Sequence, residues 1–183
     1  MADTFKFELG GIDKFQMGDP GAAGVVGATL TTYTGIKEGT FSFSLVAPTT
    51  NDINIEESDF PYAQQVSGAP QSFSFELFGL KYSDLPAFKG GTFTPGSGGT
   101  RDKYSAPSVT PDIVQSIVFD SKDGAGNVGT YSFVKCKITA EQTQTNTKTD
   151  LIGLMVTATI LQPDDGAGAL TAPWTVEGET IPA

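Results

Sequence analysis

The chain contains no histidine. That removes the side chain that most often serves as general base, proton shuttle or zinc ligand near neutral pH, and it excludes Ser-His-Asp and Cys-His nucleophile arrangements. One cysteine, Cys136, excludes an internal disulfide. Basic residues are scarce: 11 Lys plus Arg stand against 21 Asp plus Glu, a net charge of −10. Nucleic-acid binders need basic surface to displace counterions from phosphate, and anionic membrane surfaces attract the same kind of patch. Neither partner is expected to be held stably. No run approaches the about 20 apolar residues of a membrane span. The N-terminus has no basic region followed by an apolar segment, as a secretory leader would. The expectation is a soluble chain made in the cytoplasm.

What the chain does have is aromatic and turn-forming. Of its 183 residues, 38% are hydrophobic and 13 are Phe, which a disordered chain would not carry. The length suits one domain with a real core. The 22 Gly and 11 Pro predict many turns and few long helices. Period-two alternation marks the strands. Phe5, Phe7 and Leu9 alternate with Lys6 and Glu8. Phe41, Phe43 and Leu45 alternate with Ser42 and Ser44. The clearest strand covers residues 71–80, with Phe73, Phe75 and Leu77 on one face and Ser72, Ser74 and Glu76 on the other. Further strands are predicted at residues 25–32, around Ile53 and Ile55, at 113–120, 131–140 and 151–161, and around Trp174 and Val176. Residues 10–24 are glycine-rich and weakly patterned, and are expected as an arm or long loop, so the N-terminal arm spans about residues 1–24. Ser83 is placed to cap a short helix that Pro86 limits and Gly90 and Gly91 end. Residues 92–110 are expected to be irregular, and about 47–70 to form a long loop. The sum is a single mainly β domain, about eight strands and one short helix, of sandwich or barrel type.

Candidate chemistry is thin. Cys136 lies mid-strand, on the face shared with Val134 and Ile138, and reads as a buried inert thiol. The glycine-rich stretch from Gly90 to Arg101 lacks the Gly-Lys-Ser/Thr ending of a phosphate cradle, and no long helix follows it. Asp120 to Asn127 has a faint calcium-loop look, but Lys122 stands where an oxygen ligand belongs, so an Asp/Gly turn is expected, and likewise at Asp164, Asp165 and Gly166. No two acids are paired by the sequence as a glycoside hydrolase would need. No enzyme activity, cofactor or metal is expected.

One stretch is more specific. A strand of alternating Phe73, Phe75 and Leu77, then Gly79 and Leu80, a short helix beginning near Asp84 and Leu85, and an exit through Gly90, Gly91 and Thr92 resemble the major tail tube proteins of long-tailed bacteriophages. Residues 154–166, ending in Pro163, Asp164, Asp165 and Gly166, resemble that family's late strand. The resemblance covers roughly residues 40–165 as a pattern of elements. It implies a structural virion protein: hexameric rings in which each subunit adds strands to a continuous inner β-barrel, stacked into a hollow tube that holds a tape measure protein and later conducts DNA. Loops and terminal arms would bridge rings, and tail terminator and baseplate proteins would cap the tube. Related tubes occur in contractile tails and type VI secretion. Self-assembly agrees with the physics of β-rich subunits, because a ring buries sheet edges that otherwise aggregate. An acidic wall would let DNA pass without sticking. Glu76 and the cluster Glu56, Glu57 and Asp59 are the candidates for lumen or inter-ring positions. The alternatives are another β-rich virion or surface-binding module, such as a capsid decoration or adhesin domain, and then a carbohydrate-active enzyme or lectin.

Overall fold

The computed structural model describes residues 10–44, 46–53, 56, 63–122, 126–143 and 153–179. The expected strand at Phe5–Leu9, Leu45, Ile55, Glu57 and Asp59 lie outside the described residues. Within them the chain is mainly β: twelve strands and one short helix. The strands are β1 (Ile12–Gly18), β2 (Thr31–Tyr33), β3 (Ser42–Ser44), β4 (Thr49–Ile53), β5 (Ala63–Ser67) and β6 (Ser72–Leu77), then β7 (Thr92–Thr94), β8 (Lys103–Ser105), β9 (Ile113–Lys122), β10 (Val128–Thr143), β11 (Gly153–Ile160) and β12 (Trp174–Glu179). The helix α1 (Leu85–Lys89) sits between β6 and β7.

Eight of the strands make one antiparallel sheet in the order β2-β1-β9-β10-β11-β6-β3, with β12 paired to β10 off this path. The outermost strands of that path, β2 and β3, do not pair with each other, so the sheet is not a closed barrel. That corrects the barrel half of the sandwich-or-barrel expectation. The sheet nevertheless curls, since rings from strands far apart in the order meet. Phe15 of β1 lies 4.6 Å from Phe75 of β6, and Phe73 lies 4.8 Å from Phe133 of β10, centroid to centroid. These rings, with Met17, Leu77, Phe88, Ile117, Phe119, Tyr131, Cys136 and Val156, form the buried core. Its cohesion is apolar area removed from water plus tilted and edge-on ring contacts.

The long strand β10 belongs to two parts of the sheet. One edge runs along β9. The other pairs with β12 through Val128–Phe133 and with β11 through Cys136–Thr143. The change occurs at a bulge: Phe133 faces Ile117 and Cys136 faces Gln115, so Val134 and Lys135 oppose Ser116 alone. An extra residue flips the side-chain phase. Tyr131 and Phe133 point into the core before the bulge, and Cys136 and Ile138 after it. Val134 instead borders a cavity with Pro20, Gly21 and Pro163. The expected shared face of Cys136 and Val134 is therefore corrected. The bulge is satisfied locally. The buried Ser116 Oγ donates to the Val134 carbonyl at 2.6 Å and accepts from the Gly27 amide at 3.2 Å.

Four further expectations change. Residues 10–24 are not all arm or loop: β1 is an internal strand with Phe15 and Met17 buried. Its alternation is short and flanked by glycine, and the partners β2 and β9 stabilise it. The strand expected at 25–32 is reduced to β2 at its end, and Val25 is exposed. The region expected to be irregular, 92–110, contains the β7–β8 hairpin. The long loop contains the separate β4–β5 hairpin, with every residue of β4 exposed. The helix is preceded by Asp84 rather than Ser83, with Pro86 in its first turn, where the missing N–H costs nothing. Gly90 ends it at φ +65°, a conformation that costs glycine little. The strands expected at 71–80, 113–120, 131–140 and around Trp174 are all present, as β6, β9, β10 and β12.

Candidate functional site

Two stretches that hinted at small-molecule chemistry turn out to be occupied by their own structure, while residues 123–125 of the third, the turn expected after Asp120, lie outside the described residues. Asp102 accepts the Gly96 amide at 2.8 Å, and Thr100 Oγ1 accepts the Ser97 amide at 2.8 Å, so the glycine-rich stretch is a self-bonded turn after β7. Asp164 accepts the Gly166 amide, and Asp165 accepts those of Ala167 and Ala169. The backbone N–H bonds to Ala167 and Ala169 hold the Asp165 carboxyl below the usual carboxylate range. Asp120 accepts Thr130 Oγ1 across the β9–β10 ladder at 2.8 Å. Burial pushes the Cys136 thiol up to about 12, so the reactive thiolate is suppressed.

The feature that sequence reasoning missed is a face. The strands β3, β6, β11 and the second half of β10 lie side by side, and their registers align side chains in rows. One side of this four-strand unit is core: Phe43, Phe73, Ala158 and Ile138 in one row, Phe75, Val156 and Ala140 in the next. The opposite side carries Ser44, Ser72, Thr159 and Lys137 in one row, and Ser42, Ser74, Thr157 and Thr139 in the next. All but Lys137 are hydroxyl residues. A third row holds Glu76, Met155 and Glu141. The signal was present in the sequence as Ser42, Ser44, Ser72, Ser74, Thr157 and Thr159 at every second position. Only the registers show that these alternations adjoin.

Of the four candidate acids, Glu76 is in this third row. Its side chain is 13% exposed and its carboxylate lies 3.1 Å from the Lys37 ammonium. Lys37 also donates its amide to the Glu76 carbonyl and sits 5.2 Å from the Phe78 ring centroid. Gly153 leaves the space that the Glu76 carboxylate fills, and a Cβ there would collide with it. Glu56 is exposed and lies in the long loop beyond β4, so it does not belong to the hydroxyl face. Lys137, the one cation in the two hydroxyl rows, is paired with Asp112 at 3.0 Å.

Among the described residues both flanks of the unit are open edges. There strand β3 pairs with β6 alone. Strand β10 leaves β9 at the Ile138–Ile113 pair, and no described strand lies on that side of residues 139–143. Open N–H and C=O groups are a template for a further strand. No protein-family model matches this chain, and a search of curated proteins finds no match. Among the described residues no helix is long and apolar enough to cross a membrane, and no three His, Cys, Asp or Glu side chains are grouped to hold a metal.

Proposed function

We propose that the chain is a self-assembling tube subunit of the phage tail tube kind. The β3 edge of one copy pairs with the β10 edge of the next to close a ring, and rings stack into a hollow tube. The observation that carries this reading is the four-strand unit, bounded by two open edges, apolar on one side and hydroxyl-lined on the other. Successive strands in the unit are antiparallel. Adding β10 of a second copy beside β3 continues the same alternation, so copies join head to tail without a mismatch. Such heterologous contacts close into rings when the rotation permits. The ring of six, the tape measure protein in the bore and the terminal proteins of the tail follow from the family resemblance.

In this arrangement the hydroxyl rows face the bore. Serine and threonine are neutral and hydrate well, and they offer DNA no basic groups to hold its phosphates. The rows carry few net charges, because Lys137 is paired with Asp112 and Glu76 with Lys37. The bore is thus low in adhesion through neutrality, with Glu141 in the third row at the β10 edge, rather than through a strongly acidic wall. The place of synthesis is the host cytoplasm and the destination is the virion tail.

Sedimentation velocity of the purified chain across a concentration series, with negative-stain microscopy of the same samples, tests the proposal. Rings or hollow tubes are expected. A strictly monomeric protein at every concentration, with no particles in the micrographs, would overturn it. Sugar-dependent binding on a glycan array by such a monomer would redirect it to a lectin-like role.

A further inference from the structure

The two edges that bound the four-strand unit carry the same alternation, which restricts how they can meet. At β3, Phe41 and Phe43 pack against the core, while Ser42 and Ser44 are exposed on the hydroxyl side. On β10 past Ile138, Ala140 and Gln142 stand on the core side, opposite the buried Val156 and Leu154 of β11. Thr139 and Glu141 stand on the other side and are exposed. Directly opposed residues of neighbouring strands share a face, so a slip of one residue would turn Phe43 onto the hydroxyl side. The compatible registers are therefore spaced by two residues.

Strand β9 removes one of them. Phe43, Phe73, Ala158 and Ile138 lie in one row within a copy. Continuing that row across the joint would set Phe43 of the next copy opposite Ile138, but that side of Ile138 is already paired with Ile113. The next register sets Phe43 opposite Ala140, Phe41 opposite Gln142, Ser42 opposite Glu141 and Ser44 opposite Thr139. It suits the ends of the elements, because β3 closes at Ser44 and Thr139 is the first residue past the Ile138–Ile113 pair. It also sets the Phe43 ring over a methyl group, and among the described residues Phe88, Val109 and Pro111 border Ala140 on that side. A further slip would put the ring against the Gln142 amide and leave Thr139 and Ala140 without Ser44 and Phe43.

We infer, resting on the tube reading above, that residues 41–44 of one copy lie antiparallel beside residues 139–142 of the next, with Phe43 against Ala140. Main-chain hydrogen bonds hold such an added strand, and its alternate side chains select the register. Each joint then steps the rows from Ile138 to Ala140. Strands that close into a barrel need a stagger of this kind, which tilts them against the barrel axis.

Cysteine pairs test the register. Ser42→Cys and Glu141→Cys proteins are mixed, allowed to assemble and oxidised with copper phenanthroline. A second mixture combines Ser44→Cys with Glu141→Cys, the pair that the further slip would bring together. All three positions are exposed and Cys136 is buried, and each protein oxidised alone gives the background. Opposed side chains in an antiparallel ladder are about 4.5–5.5 Å apart at Cβ and diagonal ones about 7–8 Å, so a disulfide favours the opposed pair. The first mixture is expected to give a dimer that dithiothreitol dissolves, several-fold above the second. Sedimentation velocity before oxidation reports assembly separately. Assembled protein that cross-links better in the second mixture, or in neither, overturns the register while the tube reading stands. A parent chain and mixtures that all stay monomeric overturn both.

Discussion

At the scale of single residues, Ser116 matters most for its size. Its hydroxyl serves two buried backbone groups at the bulge, the Val134 carbonyl and the Gly27 amide. Ser116→Ala removes both partners without creating much space, so the cost is that of orphaned polar groups, about 1–3 kcal/mol. A urea titration should show a lower midpoint with an unchanged slope. Nothing in the sequence marks Ser116, because a bulge is a property of two strands in register and not of either alone. Cys136 was easier: a thiol inside an apolar alternation reads as buried, and it is. Its burial has a pH consequence. Burial pushes the folded thiol up from the ordinary 9.0 to about 12, so between those values the unfolded chain loses a proton that the folded one keeps. Stability is fully present below about pH 9 and falls as pH rises toward 12, by up to about 1.4 kcal/mol per pH unit. Burial also raises the Tyr33 and Tyr131 hydroxyls, which act in the same direction. The expected result is a urea midpoint that holds between pH 7 and 8.5 and drops by pH 10.5, with a smaller drop in Cys136→Ala. Native protein at pH 8 should leave a thiol reagent unreacted until it is unfolded.

At the scale of elements, the four-strand unit separates two kinds of position along its strands. Phe75 is fully buried between Phe15 and Phe73, and Phe75→Ala should cost about 3–5 kcal/mol. Thr157 is on the opposite side of the neighbouring strand, and Thr157→Ala should stay within about 1 kcal/mol. Thermal melts of both proteins check the pair, and comparable losses would contradict the two-sided description. The strands legible in the sequence are those with a consistent period: β3, β6, β9, β10 and β11. Strand β1 shows Phe15 and Met17 only two positions apart between glycines, and its place came from β2 and β9 rather than from its own pattern. The reverse error occurred at Val25, where β-propensity promised a strand that no partner supports. Short strands such as β7 and β8 exist because they pair with each other across a turn, and three residues carry too little periodicity to announce that. The hydroxyl face was written in full as alternating Ser and Thr, yet its adjacency is a matter of strand order, which periodicity does not encode.

At the scale of the whole molecule, assembly and stability should be separable. Ser42→Lys with Ser44→Lys puts two cations on an exposed edge, a familiar block to strand addition. The stability change is expected within about 0.5 kcal/mol, while rings or tubes disappear from sedimentation and micrographs. Assembly that persists would mean β3 is not the joining edge. The β4–β5 hairpin offers a second separation. It has its own two-stranded sheet, and Ser44 and Ser72 on either side of it are already opposite each other in the β3–β6 ladder. Replacing residues 46–70 with a short glycine-containing turn should therefore leave the melting temperature nearly unchanged and impair stacking of rings as read by light scattering. A collapse of the melt would show that the hairpin is part of the folding unit. There remains the course of β10, bonded to β12 in its first half and to β11 in its second. In the terms of a material, it is a thread sewn through two plies. A shear that would slide the β11–β6–β3 ply off the other must stretch covalent backbone at the Val134–Lys135 stitch before it can unzip hydrogen bonds. A hollow shaft built of such units would resist delamination along its length, and its weak direction would be the joints between copies.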